Sequence, residues 1–231
     1  PPPQLAANER RRTTATVRLA LAAAFDAVAQ AEVDPAALAG VFASPSGDND
    51  VLHALCHATS QPTRAVSPTQ FHNSVHNAPG GYWSLATRSP RPLVSLSARE
   101  GTFAAGLLEA YSWAVADDCR VLLVVYEQPA PPPLASGATA PVPFAVAAVL
   151  CPRPTPHSWA QLTPLATPLA AAPCPLLDPG LEALRLANPA ARALPLLAAL
   201  AEGTAGRVGL DHGPDGPLAV EVAPFFGGDG P

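Results

Sequence analysis

Residues 66–110 read VSPTQFHNSVHNAPGGYWSLATRSPRPLVSLSAREGTFAAGLLEA, and the shifts of pattern within this stretch set the fold class. Ser67-Pro68-Thr69-Gln70 has the form of a helix start, with serine as cap and proline at the first helical position, leading into residues 71–77. Pro79 then starts or bends a further helix. Residues 93–97 alternate enough to predict a strand, and Ser97-Ala98-Arg99-Glu100-Gly101 makes a tight turn. Beyond it, residues 102–116 place Phe103, Leu107, Leu108, Tyr111 and Val115 on one helical face. The next apolar run, residues 121–126, has the character of a strand buried on both faces. A strand, a helix and a strand joined this closely predict a right-handed crossover in a parallel sheet.

On the amino-terminal side, Val17, Leu21, Ala24, Phe25 and Val28 recur at helical spacing over residues 14–31, and Asp34-Pro35 stops that helix. Residues 38–43 form a short apolar strand that opens into a polar loop at Ser44-Pro45-Ser46-Gly47, with a second helix reaching about His57. Towards the carboxy terminus, residues 144–150 predict a strand that pairs as a hairpin with 121–126, since the proline-rich link 128–143 holds no helix. A second proline-rich segment, 152–179, precedes a helix over 190–201 and a last strand over 218–224. No internal repeat and no sharp boundary divide the chain, so residues 1–231 are expected to form a single α/β domain: a mostly parallel central sheet with helices on both faces.

Composition narrows the functions. Hydrophobic residues make up 48% of the 231 and charged residues only 13%, which argues for a packed core. Every one of the 13 basic residues is arginine, so there is no lysine amine to hold a pyridoxal cofactor as a Schiff base. A net charge of -5 without a basic stripe speaks against nucleic acid and against anionic membranes. The Ala/Leu-rich run 17–29 carries Arg18 and Asp26 and is no spanning helix, so a soluble, cytoplasmic protein is expected. Cys56, Cys119, Cys151 and Cys174 lack CxxC spacing and read as reduced thiols. The chain opens on Pro1-Pro2-Pro3 and contains no methionine, which leaves room for a strand or a targeting signal upstream.

The order of elements in residues 66–110 resembles that of β-ketoacyl synthases of the thiolase fold, in their amino-terminal half. The likeness extends over roughly residues 8–150. In that family the turn after the strand carries an alanine-cysteine-serine run, and the cysteine, at the amino end of the buried helix, takes the acyl chain as a thiolate. Here Arg99 stands at about that position, flanked by Ala98, Glu100 and Gly101. The family's two decarboxylation histidines come from its second half; His157 and His212 lack their surroundings, and nothing beyond Leu150 matches. Together with the opening Asn8-Glu9-Arg10-Arg11-Arg12, the His76-Asn77 pair and Tyr82-Trp83-Ser84, the chain looks like the ketosynthase-like proteins of bacterial aryl polyene clusters.

Members of that group resemble chain-length factors, inactive relatives that pair with an active ketosynthase and shape its acyl tunnel. The resemblance therefore implies a non-catalytic accessory subunit in polyene or fatty-acid-like synthesis, with an active ketosynthase and an acyl carrier protein as partners and no cofactor. A lone half-fold would leave an apolar face for that partner to cover. Two alternatives stand beside it: an acyltransferase completed by another chain, and a stand-alone binding or scaffold domain.

Residue readings follow in the same terms. Arg10, Arg11 and Arg12 are candidates for gripping an acidic carrier protein, against the plainer reading of exposed charge beside a helix start. Asn77, Trp83 and Phe103 are interface or pocket candidates, with Trp83, like Trp113, a core or interface anchor rather than a substrate cage, and Arg99 and Glu100 either line an inherited pocket or are merely solvated. His53, Cys56 and His57 share one helical face and His72 and His76 an i, i+4 spacing, yet no acidic helper completes a metal motif, so no metal site is assigned. Ser95 and Ser97 lack a G-x-S-x-G elbow and are not assigned as nucleophiles.

Overall fold

A computed structural model describes residues 3–135, 142–165, 175–213 and 216–225. A short helix α1 (Ala7–Arg12) leads into α2 (Ala15–Ala31), which the Thr14 hydroxyl caps by accepting from Val17 N at 3.2 Å. Strand β1 (Ala39–Ala43) is followed by α3 (Asn49–Ser60), α4 (Pro68–Asn73) and α5 (Ala78–Thr87), then by β2 (Leu93–Leu96), α6 (Thr102–Ala116), β3 (Val121–Glu127) and β4 (Phe144–Leu150). Their sheet has the order β2-β1-β3-β4. β1 pairs in parallel with β2 and with β3, and β4 closes the far edge antiparallel to β3. The parallel strand–helix–strand unit and the hairpin expected from the sequence are thus both present, with β1 between β2 and β3.

β3 is apolar at every position from Val121 to Tyr126 because both of its faces are covered. Leu122, Val124 and Tyr126 face Val17, Leu21 and Ala24 of α2 and Tyr82 and Trp83 of α5, while Val121, Leu123 and Val125 face Phe103, Leu107 and Ala110 of α6. Each fully buried side chain of this kind contributes about 1.5–3 kcal/mol of transfer free energy. At Gly106 the helix runs so close to the sheet that a Cβ would lie 3.1 Å from Leu123 and 3.3 Å from Ala43.

The carboxy-terminal third departs from expectation. After β4 come β5 (Ala160–Leu165), α7 (Pro179–Ala187), α8 (Leu194–Ala201), β6 (Gly206–Leu210) and β7 (Leu218–Pro224). The three strands build a second, antiparallel sheet of order β5-β7-β6. Leu162, Val208, Leu210, Leu218, Val220 and Val222 turn towards the α6 layer and join its core. Glu221 and Ala223, on the opposite side of β7, are exposed. The layers therefore run helices, first sheet, helices, second sheet. This corrects the expected apolar face awaiting a partner: the chain's own carboxy-terminal lobe covers the α6 side.

β5 lies inside the second proline-rich segment. Pro164 is compatible with a strand there because β5 is an edge, where a missing N–H leaves no ladder bond unmade on the open side. The helix expected over 190–201 begins as a 3-10 turn, Pro189–Ala193, before α8. Among the described residues no helix is long and apolar enough to cross a membrane.

Candidate functional site

The first sheet ends on the side of its carboxyl strand ends in the turn between β2 and α6, and the turn has an elbow. Arg99 occupies it with φ 51°, left-handed backbone that costs a non-glycine residue about 1–2 kcal/mol. The sequence holds this shape locally: the Thr102 hydroxyl donates to Arg99 O at 2.6 Å and accepts from Ala98 N at 3.0 Å, and Gly101 N donates to Ala98 O. Ser97 Oγ ties the turn to Pro45 O, in the loop after β1, at 2.9 Å. A strand, a strained single residue and the start of a buried helix form the geometry in which a nucleophile is presented. The residue presented here is a guanidinium, exposed and without a side-chain hydrogen bond among the described residues. A guanidinium forms neither ester nor thioester. Cys119 lies just past the other end of α6, about 22 Å along a helix of this length.

The carboxy-terminal lobe docks on this elbow. A Cβ at Gly101 would meet the carbonyl carbon of His212 at 2.6 Å and its Cα at 3.0 Å, so only glycine admits the loop after β6. Sequence reasoning set His212 aside; the structure puts it against the turn, with Nδ1 buried and without a partner among the described residues. Glu100 keeps a side chain 62% exposed, as the solvated reading has it, and also accepts from Arg192 Nη2 at 3.0 Å. Arg192 also reaches Asp211 at 3.1 Å, and Arg185 binds Asp211 at 2.7 Å and both oxygens of Glu182 at 2.8 and 2.7 Å. The Arg185 side chain is only 6% exposed. Its hydrogen bonds, with that from Leu176 N, pull the Glu182 carboxyl down to about 2. One chain of charge from Glu182 to Glu100 therefore fastens α7, the 3-10 turn before α8 and the loop after β6 to the elbow.

Beneath the turn lies a second group that the sequence reading missed. Glu127, the last residue of β3, is 6% exposed. It accepts from Ser44 Oγ at 3.2 Å and from the Ser46 hydroxyl. Burial pushes its carboxyl up to about 7 against the opposing effect of those hydrogen bonds, with the nearby Glu100 charge adding to the rise. The signal available was a lone charge ending an otherwise apolar strand. Around it, Gly47 N binds Ser44 Oγ, Asn49 Nδ2 binds Ser46 Oγ, and His76 Nε2 lies 2.8 Å from Ser44 O.

The remaining candidates scatter. Trp83 is fully buried against Phe25 and Phe42, with ring centroids 4.9 and 6.4 Å away, so it belongs to the core and not to an interface or pocket. Asn77 is exposed at the start of α5 with no side-chain cap bond. Phe103 is buried in the first turn of α6. Arg10, Arg11 and Arg12 end α1; Arg12 pairs with Glu9 at 3.3 Å. Among the described residues no three His, Cys, Asp or Glu side chains converge as a metal site. Cys56, Cys119 and Cys151 are free thiols, and Cys174 lies outside the described residues.

Comparisons with known proteins bear on the whole arrangement. Residues 2–175 match the family model described as beta-ketoacyl synthase, N-terminal domain. The fold is similar to a chain in the structure of a ketosynthase (ApeO) in complex with its chain length factor (ApeC) from Xenorhabdus doucetiae, with TM-score 0.68 and 22% identity over 95% of this chain and 82% of that one. A weaker likeness, TM-score 0.41 at 18% identity over 80% of this chain and 43% of that one, is to MvaS in complex with 3-hydroxy-3-methylglutaryl coenzyme A, and carries no argument. No curated protein matches the chain.

Proposed function

The chain belongs to the β-ketoacyl synthase amino-terminal domain family, and from that premise we propose that it is a non-catalytic, chain-length-factor-like member acting beside an active ketosynthase. The observation that carries this reading is the elbow. Its backbone has the shape that presents a nucleophile, and it presents Arg99, locked from behind by His212 and the Glu100–Arg192–Asp211 chain. A site built for acyl transfer needs a group that can be acylated.

A partner has places to bind. Among the described residues β2 is the open edge of the first sheet, with half-buried Leu93 and Val94 along it. Elsewhere on the surface Phe71 of α4, Val75 in the link after it and Leu85 of α5 are 68%, 52% and 59% exposed, side chains that an interface would bury. The resemblance in sequence points to an acyl carrier protein as a further partner, approaching the arginines of α1, and to polyene or fatty-acid-like synthesis in the cytoplasm of a bacterium as the setting. Residues 1–231 serve this role as one domain.

The test is co-expression with the active ketosynthase of the same operon, followed by size-exclusion chromatography with light scattering and by product analysis. Co-elution at a fixed ratio, with a change in acyl length when this chain is omitted, supports the reading. A stable acyl adduct on the purified chain, found by intact mass after incubation with acyl carrier substrate, overturns it.

A further inference from the structure

Beside the loop that carries Ser44 and Ser46, five elements meet around a small polar gap. Thr16 of α2, Asp48 of the loop after β1, Asn73 of α4, Pro79 of α5 and Tyr126 of β3 line a cavity of about 10 Å³. That is room for a single water. Three buried oxygens of the lining residues have no hydrogen-bond partner among the described residues: Tyr126 Oη, Asp48 Oδ2 and Asn73 Oδ1. Tyr126 is fully buried and Asn73 only 3% exposed. A buried polar group left unmatched costs stability, so three at one place call for a common partner.

The chemistry of the three atoms specifies that partner. A carboxylate oxygen only accepts. Asn73 Nδ2 donates to Arg12 O at 2.9 Å, which fixes the amide and leaves its carbonyl oxygen to accept as well. The Tyr126 phenol is the donor: burial, with the Glu127 and Asp48 charges nearby, pushes its titration upward and keeps the proton on it. We propose that one structural water occupies this cavity, accepting from Tyr126 Oη and donating to Asp48 Oδ2 and Asn73 Oδ1. Two acceptors and one donor are the complement of a water, which gives two hydrogens and takes one. Asn73 Oδ1 keeps a second lone pair, which the nearby buried Tyr82 hydroxyl can use. A calcium or magnesium ion takes about six or more oxygens, beyond what these three side chains supply.

The water acts as a rivet. Asp48 Oδ1 accepts from Val51 N at 3.1 Å and so caps α3. With Oδ2 on the water, that cap, α4 and the end of β3 are held at one point, and the Ser44 and Ser46 hydroxyls on Glu127 hold the same loop at another. The inference does not depend on the accessory-subunit reading: a chain that binds no ketosynthase loses only that reading, and a chain without the water loses only this one.

The experiment joins a crystal structure of the full chain, at a resolution that shows ordered waters, to thermal unfolding of Tyr126→Phe. A single density peak about 2.5–3.0 Å from Tyr126 Oη and Asp48 Oδ2 is expected. The variant reads the same contact by sign. Deleting a hydroxyl that has no partner would hold or raise Tm, whereas deleting one bound to a shared water is expected to lower it by about 2–4 °C. Replacing sodium by choline at constant ionic strength is expected to leave the Tm of the parent unchanged. The proposal is overturned by the absence of a peak, by a direct bond from Tyr126 to Asp48, by a Tm that follows sodium, or by a Tyr126→Phe protein as stable as the parent. If the variant does not fold, the density and the sodium comparison on the unaltered chain decide the matter.

Discussion

Gly101→Ala tests the docking of the carboxy-terminal lobe on the elbow. The backbone at Gly101 has φ -83° and ψ 9°, which alanine adopts without strain. Taken alone, the change would stabilise the protein by about 0.4–1 kcal/mol by narrowing the unfolded ensemble. The new methyl, however, would stand 2.6 Å from the carbonyl carbon of His212, and a backbone neighbour has no rotamer by which to withdraw. The loop after β6 must move, and with it Asp211, which binds Arg185 at 2.7 Å and Arg192 at 3.1 Å. Overpacking of this kind costs about 1–3 kcal/mol, so a net loss of about 1–2 kcal/mol is expected. In a chain of this length that lowers Tm by about 2–8 °C. Gly81→Ala is the matched control: it lies in α5, a Cβ there meets nothing, and helix propensity predicts a gain of up to about 1 kcal/mol. Urea unfolding followed by circular dichroism reads both. Opposite signs are expected, and a Gly101→Ala protein as stable as the parent would refute the contact between the lobe and the elbow.

Two further outcomes follow from the same site. The folded state holds the Glu127 proton up to about pH 7 against an ordinary value of 4.5, so stability should fall as pH rises between those values, by on the order of 3 kcal/mol in all; Glu127→Gln should remove that slope in urea midpoints measured at pH 5 and pH 8, and an equally steep variant would show that another group titrates. Arg99 sits exposed in left-handed backbone, so Arg99→Gly should hold or raise stability by up to about 1 kcal/mol while a β-branched Arg99→Val lowers it; loss of stability in the glycine variant would mean that the guanidinium makes contacts that hold the turn.

Much of the first sheet was legible in sequence because its cues are local. The periodicity of residues 102–116 fell on α6 with the same bounds, and the unbroken apolar run at β3 signalled two covered faces. The second sheet escaped for physical reasons. β5 carries Pro164, tolerated only at an edge, and β6 begins with Gly206 and contains Gly209, so neither shows the strand alternation that pairing with β7 completes. The elbow position was readable from Arg99, yet its surroundings were not: His212 and Arg192 lie about a hundred residues away, and only the fold brings Arg192 to the exposed Glu100. Glu127 was missed because burial of a carboxylate depends on Ser44 and Ser46 from a different strand end. For Trp83 the sequence left core and interface both open, and burial decides for core.

The place of β7 in the middle of the second sheet has a bearing on how the chain comes into being. Among the described residues β5 and β6 each hydrogen-bond only to β7, whose residues 218–224 leave the ribosome after both. Every strand of the first sheet has emerged by Leu150, so that layer can pair during synthesis. β5 must wait more than fifty residues for its partner, with its apolar side turned to solvent or to a chaperone. The docking of the lobe on the elbow therefore follows the pairing of the first sheet, and the growing lobe should stay vulnerable to proteases until β7 arrives.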